Sequence, residues 1–311
     1  MKTIYFNSDV SDEVRRQRLY KGELFVYTAC DSTKQLCAFA REFCEEVFYP
    51  YDPRDAQHHL SVEEYVEILK ELKPKFIHHP KTKILIQNIL KESGCDLSKT
   101  YFDVPRLRTS TAKGYLTSGL AYVFKPHRDI WYSPPMCQLN WWLPIYGIES
   151  DNSMAFHLHY WSKPVKNDSC DFNYQEWNKK GRKDAAKQVK KDTRKQSGAL
   201  EPLELDPQIR VITEPGGLLI FSGAHLHSSV PNTTDRTRLS IDFRTVHYEE
   251  LLTKDGAPNL DSACSGTTIR DYLRGSDLTQ LPPNIIELYE EKKPTVDELS
   301  PQYLDKQVGV A

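Results

Sequence analysis

Residues 215–246 read PGGLLIFSGAHLHSSVPNTTDRTRLSIDFRTV, and the fold turns on how this stretch is read. Two short strand-like runs, 218–222 and 238–245, flank a turn-rich connection holding Pro231, Asn232 and Asp235, so the segment reads as one hairpin. The second run alternates. Arg238, Ser240, Asp242 and Arg244 fall on one face, while Leu239, Ile241 and Phe243 fall on the other, as a period of two requires. A strand with two arginines, a serine and an aspartate on one side is either bare to water there or lines a polar cavity. His225 and His227, just upstream, favour the cavity.

An imidazole is a common metal ligand, and partners with ligand spacing stand a hundred positions earlier, in His127-Arg128-Asp129. On an extended strand, residues two apart project from one face, so this histidine and carboxylate would point toward one ion. One later histidine completes two imidazoles and a carboxylate, a set that suits non-haem Fe(II) and leaves positions open. The co-substrate 2-oxoglutarate ends in a carboxylate, which a guanidinium and a neighbouring hydroxyl can hold. Arg238 and Ser240 supply such a pair on one strand face.

With these residues the chain resembles Fe(II)/2-oxoglutarate dioxygenases of the phytanoyl-CoA dioxygenase-like superfamily. The family pattern is His-x-Asp, a distal histidine, an asparagine five residues on and an arginine eleven residues on. From His227 the count reaches Asn232 and Arg238; from His225 the two offsets are not both met, the first falling on Val230. The resemblance covers residues 104–246 and implies a double-stranded β-helix (jelly-roll, cupin-like) core. It also implies His127, Asp129 and His227 as iron ligands, Arg238 and Ser240 as the anchor of the far carboxylate, and Fe(II), 2-oxoglutarate and O2 as cofactors. Hydroxylation of a C–H bond with release of succinate and CO2 is the implied reaction, and retention of Asp129 argues against halogenation. The run PRLRTSTAKGYLTSGLAYVFKPHRDIWYSPPMCQLNWWLPIY is also similar to bacterial hydroxylases acting on the 3-deoxy-manno-octulosonic acid of lipopolysaccharide.

Outward from this centre, the expected architecture is one mainly-β domain over 1–311 with added helices. It comprises a helical flank (1–100), a jelly-roll core (101–248) with a basic insertion (174–199), and a C-terminal extension (249–311). Helices are expected over 32–49, from the Ser61/Glu64 capping box to a stop at Pro74, and over 81–93, with strands at 24–27, from 101, over 119–124 and over 136–143. In the last of these, Gln138, Asn140 and Trp142 share a face. Gln138 and Asn140 either touch 2-oxoglutarate or substrate, or hydrogen-bond across strands. Arg106 and Arg108, two apart, either bind an anionic substrate or pair with acids such as Asp103. Trp131 and Tyr132 would stand at the cavity mouth, walling the substrate or capping the core. His157 and His159 lack a carboxylate at a matching offset and read as packing residues or a substrate contact, and the pairs His58-His59 and His78-His79 as surface or capping residues.

Composition bounds the rest. No run of eighteen apolar residues exists and the first residues lack the apolar core of a signal peptide, so a cytoplasmic protein is expected. Seven cysteines with no Cys-x-x-Cys pair argue against a disulfide framework and a zinc ribbon; Cys30, Cys37 and Cys44 would share one helical stripe. Residues 179–195 carry nine Lys or Arg against Asp184 and Asp192, a local +7 in a chain of net −2. This insertion reads as helical. Lacking interleaved aromatics it does not suggest nucleic acid and reads first as a solvated helix offsetting the acidic remainder; taken with Arg108, Arg128 and Arg244 it leans toward an anionic small molecule or sugar headgroup, even one at an anionic membrane surface. A cupin-like isomerase or a non-catalytic jelly-roll binding protein would share the barrel, the first without use for Arg238 and Ser240, the second without need of the three ligands together.

Overall fold

The computed structural model describes residues 2–181 and 184–290. Its strands are β1 (Ile4–Phe6), β2 (Leu24–Tyr27), β3 (Thr100–Phe102), β4 (Arg106–Ser110), β5 (Leu139–Pro144), β6 (Met154–Phe156), β7 (Ile209–Val211), β8 (Leu218–Ser222), β9 (His227–Ser229), β10 (Arg238–His247) and β11 (Leu273–Arg274). The helices are α1 (Asp12–Leu19), α2 (Asp31–Phe48), α3 (Val62–His78), α4 (Pro80–Glu92), α5 (Tyr174–Lys179), α6 (Tyr248–Thr253) and α7 (Pro283–Glu290).

Strand β10 is the axis of the larger sheet, whose order is β1-β2-β8-β5-β10-β3-β11 with β4 also on β10. Along one side of β10, β4 and β3 lie end to end, pairing Ser110 with Arg238 and Thr100 with His247. Pro105 has no N–H for the ladder, and the interruption is bridged by Asp103, whose carboxylate accepts from the Arg244 backbone N–H at 2.8 Å. The alternation of β10 sorts its faces as read. Leu239, Ile241 and Phe243 are buried in the core formed with α2, α3 and α4, while Arg238 and Ser240 face the opposite way. On that inner side lies the smaller sheet, β7-β6-β9, and Trp142, Phe156, Val211, Leu219 and Phe221 fill the space between the sheets. Two sheets face to face with helices outside make a jelly-roll core; among the described residues no ladder closes them into a barrel.

Four expectations need correction. The runs at 218–222 and 238–245 are not a hairpin: β5 lies between β8 and β10, and the connection carries β9 into the other sheet. A period of two fixes a strand's faces but not its partner. Helix α3 runs past Pro74, which lies inside it on the exposed side, where water can serve the Lys70 carbonyl that loses its donor. Residues 119–124 form no strand but begin with a 3-10 turn, Gly119–Ala121. Gly119 has φ +59°, and a Cβ there would collide with the Ala185 and Gln188 carbonyl oxygens, so backbone of the insertion takes the place of a pairing partner. Among its described residues the insertion is helical only in α5 and a 3-10 turn, Ala185–Lys187. Dense like charges disfavour a long helix, and the segment is held instead through Ser118 Oγ, which donates to Gln188 and Val189 carbonyls, and the Asp192–Arg194 pair against Gly119. Arg182 and Lys183, and the tail over 291–311, lie outside the described residues. Ahead of β2, β1 and α1 form a right-sized crossover that pairs β1 parallel to β2.

Candidate metal centre

His127 and His227 form an isolated antiparallel bridge that extends the smaller sheet, each backbone N–H donating to the other's carbonyl at 3.0 Å. Residues directly opposite on adjacent extended segments put their side chains on one face, which brings the two ring centroids to 4.4 Å. Each Nδ1 is engaged by a carbonyl two residues back, His127 with Lys125 at 2.8 Å and His227 with His225 at 3.0 Å. That leaves both Nε2 atoms as the free ligand positions, the arrangement by which backbone carbonyls orient metal-binding imidazoles.

Asp129 arrives differently from the expected extended strand. It opens a 3-10 turn, Asp129–Tyr132, and its Oδ1 lies 3.2 Å from His127 Nε2 and 3.8 Å from His227 Nε2. All three ligand atoms lie within 4.8 Å of one another, the one such cluster of His, Cys, Asp or Glu among the described residues. Burial opposes ionisation of Asp129, but the His127 hydrogen bond, the adjacent His227 and the charge of Arg244 outweigh it and hold the carboxyl well below its usual range. Burial, then the neighbouring His127, pushes His227 down to about 4, so its ring is neutral near neutral pH, as a ligand must be. The other oxygen of Asp129, Oδ2, accepts from Asn140 Nδ2 at 2.9 Å and has Arg244 Nε at 3.9 Å.

The same turn corrects the placing of Trp131. A 3-10 step of about 120° per residue sends it away from the cavity: it is 0% exposed, and its indole N–H donates to Asp261 Oδ1 at 2.8 Å. Tyr132 remains partly exposed beside His127. Arg128 is likewise removed from any anion-binding role. It is buried, its Nε paired with Asp261 Oδ2 at 3.0 Å and its remaining nitrogens donating to the Ala224, Tyr160 and Lys163 carbonyls. His225 lies outside the cluster, against Trp161 and Phe156. His157 and His159 bond to the Leu205 and Glu204 carbonyls as packing residues.

On the inner face of β10, Arg238 is buried over Trp142, its Nη1 donating to the Asn152 and Ser153 carbonyls at 2.9 and 3.1 Å. Burial, then the like charge of Arg108, draws its guanidinium down to about 10. Arg238 Nε, Ser240 Oγ and Ser110 Oγ are buried with no hydrogen-bond partner among the described residues. Ser110 stands directly opposite Arg238 in the ladder, so these three groups share a face. Sequence reasoning missed Ser110, although the alternation Arg106, Arg108, Ser110 could have shown it. Asn232 serves the loop: its amide donates to the Ser110 and Arg236 carbonyls, both at 2.8 Å.

Toward solvent the face continues with Arg108, in a two-point pair with Asp242, and with Arg106 and Arg244, both on Asp103. Gln138 Nε2 donates to Asn140 Oδ1 at 3.1 Å, and Gln138 Oε1 accepts from Tyr272 at 2.8 Å. Across from the arginines runs an aromatic wall: Tyr122 against Phe124, Phe124 against His127, His127 against Tyr132, and Tyr132 against Phe172.

No family model matches the chain, and no curated protein matches it. Among solved structures it is similar to the non-heme monooxygenase ThoJ, at 14% identity over 75% of this chain and 76% of that one, with a TM-score of 0.41. It is similar to the non-heme alpha ketoglutarate dependent epimerase SnoN from nogalamycin biosynthesis, at 15% identity over 76% and 82%, TM-score 0.38. EvdO2 from Micromonospora carbonacea var. aurantiaca, complexed with 2-oxoglutarate, follows at 12% identity over 58% and 64%, TM-score 0.36. Likeness this distant carries no weight for function, which has to be read from the side chains.

Proposed function

We propose that the protein is an Fe(II)/2-oxoglutarate-dependent oxygenase that hydroxylates an anionic small molecule. The observation that carries this reading is the pairing of two features on one side of the larger sheet. One is a cluster of two imidazoles and a carboxylate with converging free ligand atoms; the other is a buried guanidinium with two hydroxyls that have no partner among the described residues. Two imidazoles and one carboxylate suit Fe(II) and leave coordination positions open. Orphaned buried donors are costly unless something accepts from them, and a carboxylate of 2-oxoglutarate fits Arg238 Nε, Ser240 and Ser110. Bound there, iron and 2-oxoglutarate would supply oxidation of a C–H bond by O2, with release of succinate and CO2. The chain's own part is to hold the ion with His127, Asp129 and His227, anchor the co-substrate with Arg238 and Ser240, and keep the floor dry with Trp142 and Phe156.

For the substrate, the lining of Arg106, Arg108 and Arg244 against Asp103 and Asp242 retains a positive balance, and the aromatic wall offers a flat apolar surface. A ring bearing a carboxylate, such as an acidic sugar headgroup, suits both. The cytoplasmic placement is part of the same proposal and is supported by seven free thiols; no helix among the described residues is long and apolar enough to cross a membrane. The test is succinate release from 2-oxoglutarate with Fe(II) and O2, without added substrate and then with candidate acidic sugars. Stimulated release together with a product one oxygen heavier supports the reading. A protein that binds metal yet never consumes 2-oxoglutarate is a non-oxidative enzyme instead, and one that binds neither is a ligand-binding jelly roll.

A further inference from the structure

Asn140, Gln138 and Tyr272 make a chain of hydrogen bonds whose direction is forced. An ionised carboxylate only accepts, so the Asn140 atom 2.9 Å from Asp129 Oδ2 is its NH2 group. Asn140 Oδ1 is then an acceptor, and the Gln138 atom 3.1 Å away is the Gln138 NH2. Gln138 consequently turns its own carbonyl outward, and the group 2.8 Å from it, the Tyr272 hydroxyl, closes the chain as donor. Burial and the Asp103 charge push that hydroxyl well above its ordinary value, so it keeps its proton. All three side chains are buried. Gln138 stands just before β5 and Asn140 is its second residue, whereas Tyr272 comes from beyond the jelly-roll core, between a 3-10 turn, Ile269–Asp271, and β11.

We propose that Tyr272, Gln138 and Asn140 form a hydrogen-bond relay that fixes the Asp129 carboxylate so that Oδ1 alone is presented to a divalent cation, with Tyr272 a positioning residue of the metal centre. This rests on the metal reading given above. The two oxygens of Asp129 have different surroundings: Oδ2 is occupied by Asn140 and flanked by Arg244, while Oδ1 faces the two Nε2 atoms. A carboxylate held this way contributes one coordination position. Released, it is free to turn and occupy two, which removes a position a chelating co-substrate needs. The amides that would otherwise reach 2-oxoglutarate are committed to Asp129 instead, and the C-terminal extension becomes part of the site.

The experiment titrates Co(II) into the metal-free full chain, wild type against Tyr272→Phe, Asn140→Leu and the double variant, with thermal unfolding and the Co(II) absorption spectrum recorded alongside. Each single substitution is expected to weaken Co(II) binding by about tenfold, the lower end for groups that orient a ligand. The double variant is expected to be no weaker than Asn140→Leu, because the relay is already cut. The Tyr272→Phe spectrum is expected to differ from wild type, which packing alone would not cause. Gln138→Met, which interrupts the middle, must reproduce Tyr272→Phe and serves if the latter folds poorly. Additive losses, or a Tyr272→Phe protein of lowered Tm with unchanged Co(II) affinity and spectrum, overturn the relay while leaving the metal centre standing. A wild type that takes up no Co(II) overturns the metal reading and the relay with it.

Discussion

Replacing Arg238 by lysine keeps a positive charge and removes a fixed fork, which makes it the sharpest probe of the proposed co-substrate anchor. Nη1 is spent on the Asn152 and Ser153 carbonyls, and that attachment aims Nε at the space shared with Ser240 and Ser110. A lysine ammonium is a point charge on a flexible stem and cannot hold two carbonyls and aim a further donor at once. A hydrogen bond to a charged group contributes about 1.5–3 kcal/mol, so losing one such contact to 2-oxoglutarate weakens binding by roughly 10- to 150-fold. Ser240→Ala and Ser110→Ala each remove one hydroxyl donor to the same carboxylate and are expected to cost about 1.5 kcal/mol, roughly tenfold, the lower end of that range. The assay is anaerobic calorimetric titration of 2-oxoglutarate into the Co(II) form, with Co(II) affinity itself measured separately. Arg238→Lys is expected to leave Co(II) affinity unchanged. Folded Arg238→Lys protein with wild-type affinity for 2-oxoglutarate would refute the anchor.

Three further outcomes follow from the packing. Asp261→Asn removes one charge of a pair whose side chains are 1% and 0% exposed, and is expected to lower stability by about 3–5 kcal/mol in denaturant unfolding; a change below 1 kcal/mol would show that Arg128 does not clamp the turn bearing Asp129. Burial pushes the Cys37 and Cys44 thiols up to about 12, so at pH 8 both stay protonated; a thiol reagent should modify exposed Cys170 in the native protein and reach Cys37 and Cys44 only on unfolding. Gly119→Ala meets the Ala185 and Gln188 carbonyls and should loosen the insertion, seen as faster tryptic cleavage within 179–195; unchanged cleavage would contradict that contact.

Much of this was legible in the sequence because period and spacing are local. The faces of β10, the alternation of Gln138 and Asn140, and helices α2 and α4 need only offsets along the chain, whereas the choice of His227 over His225 came from the resemblance to a family pattern. What was not legible depends on partners far apart in sequence. Nothing near Leu218 says that β5 will separate β8 from β10, and nothing near Trp131 says that Asp261, 130 residues later, will draw it inward. Arg128 looked free for an anion because its acceptors are mostly backbone carbonyls, which have no sequence signature. Tyr272 was invisible for the same reason: its partner Gln138 lies 134 positions away.

The central claim is that His127, Asp129 and His227 together hold one divalent ion, and it is tested most directly by equilibrium Co(II) or anaerobic Fe(II) titration of the metal-free protein. Wild type is predicted to bind one equivalent, His227→Ala to lose that binding, and His225→Ala, altered outside the cluster, to retain it. Stoichiometric binding that survives His227→Ala, or disappears in a folded His225→Ala protein, would contradict the account.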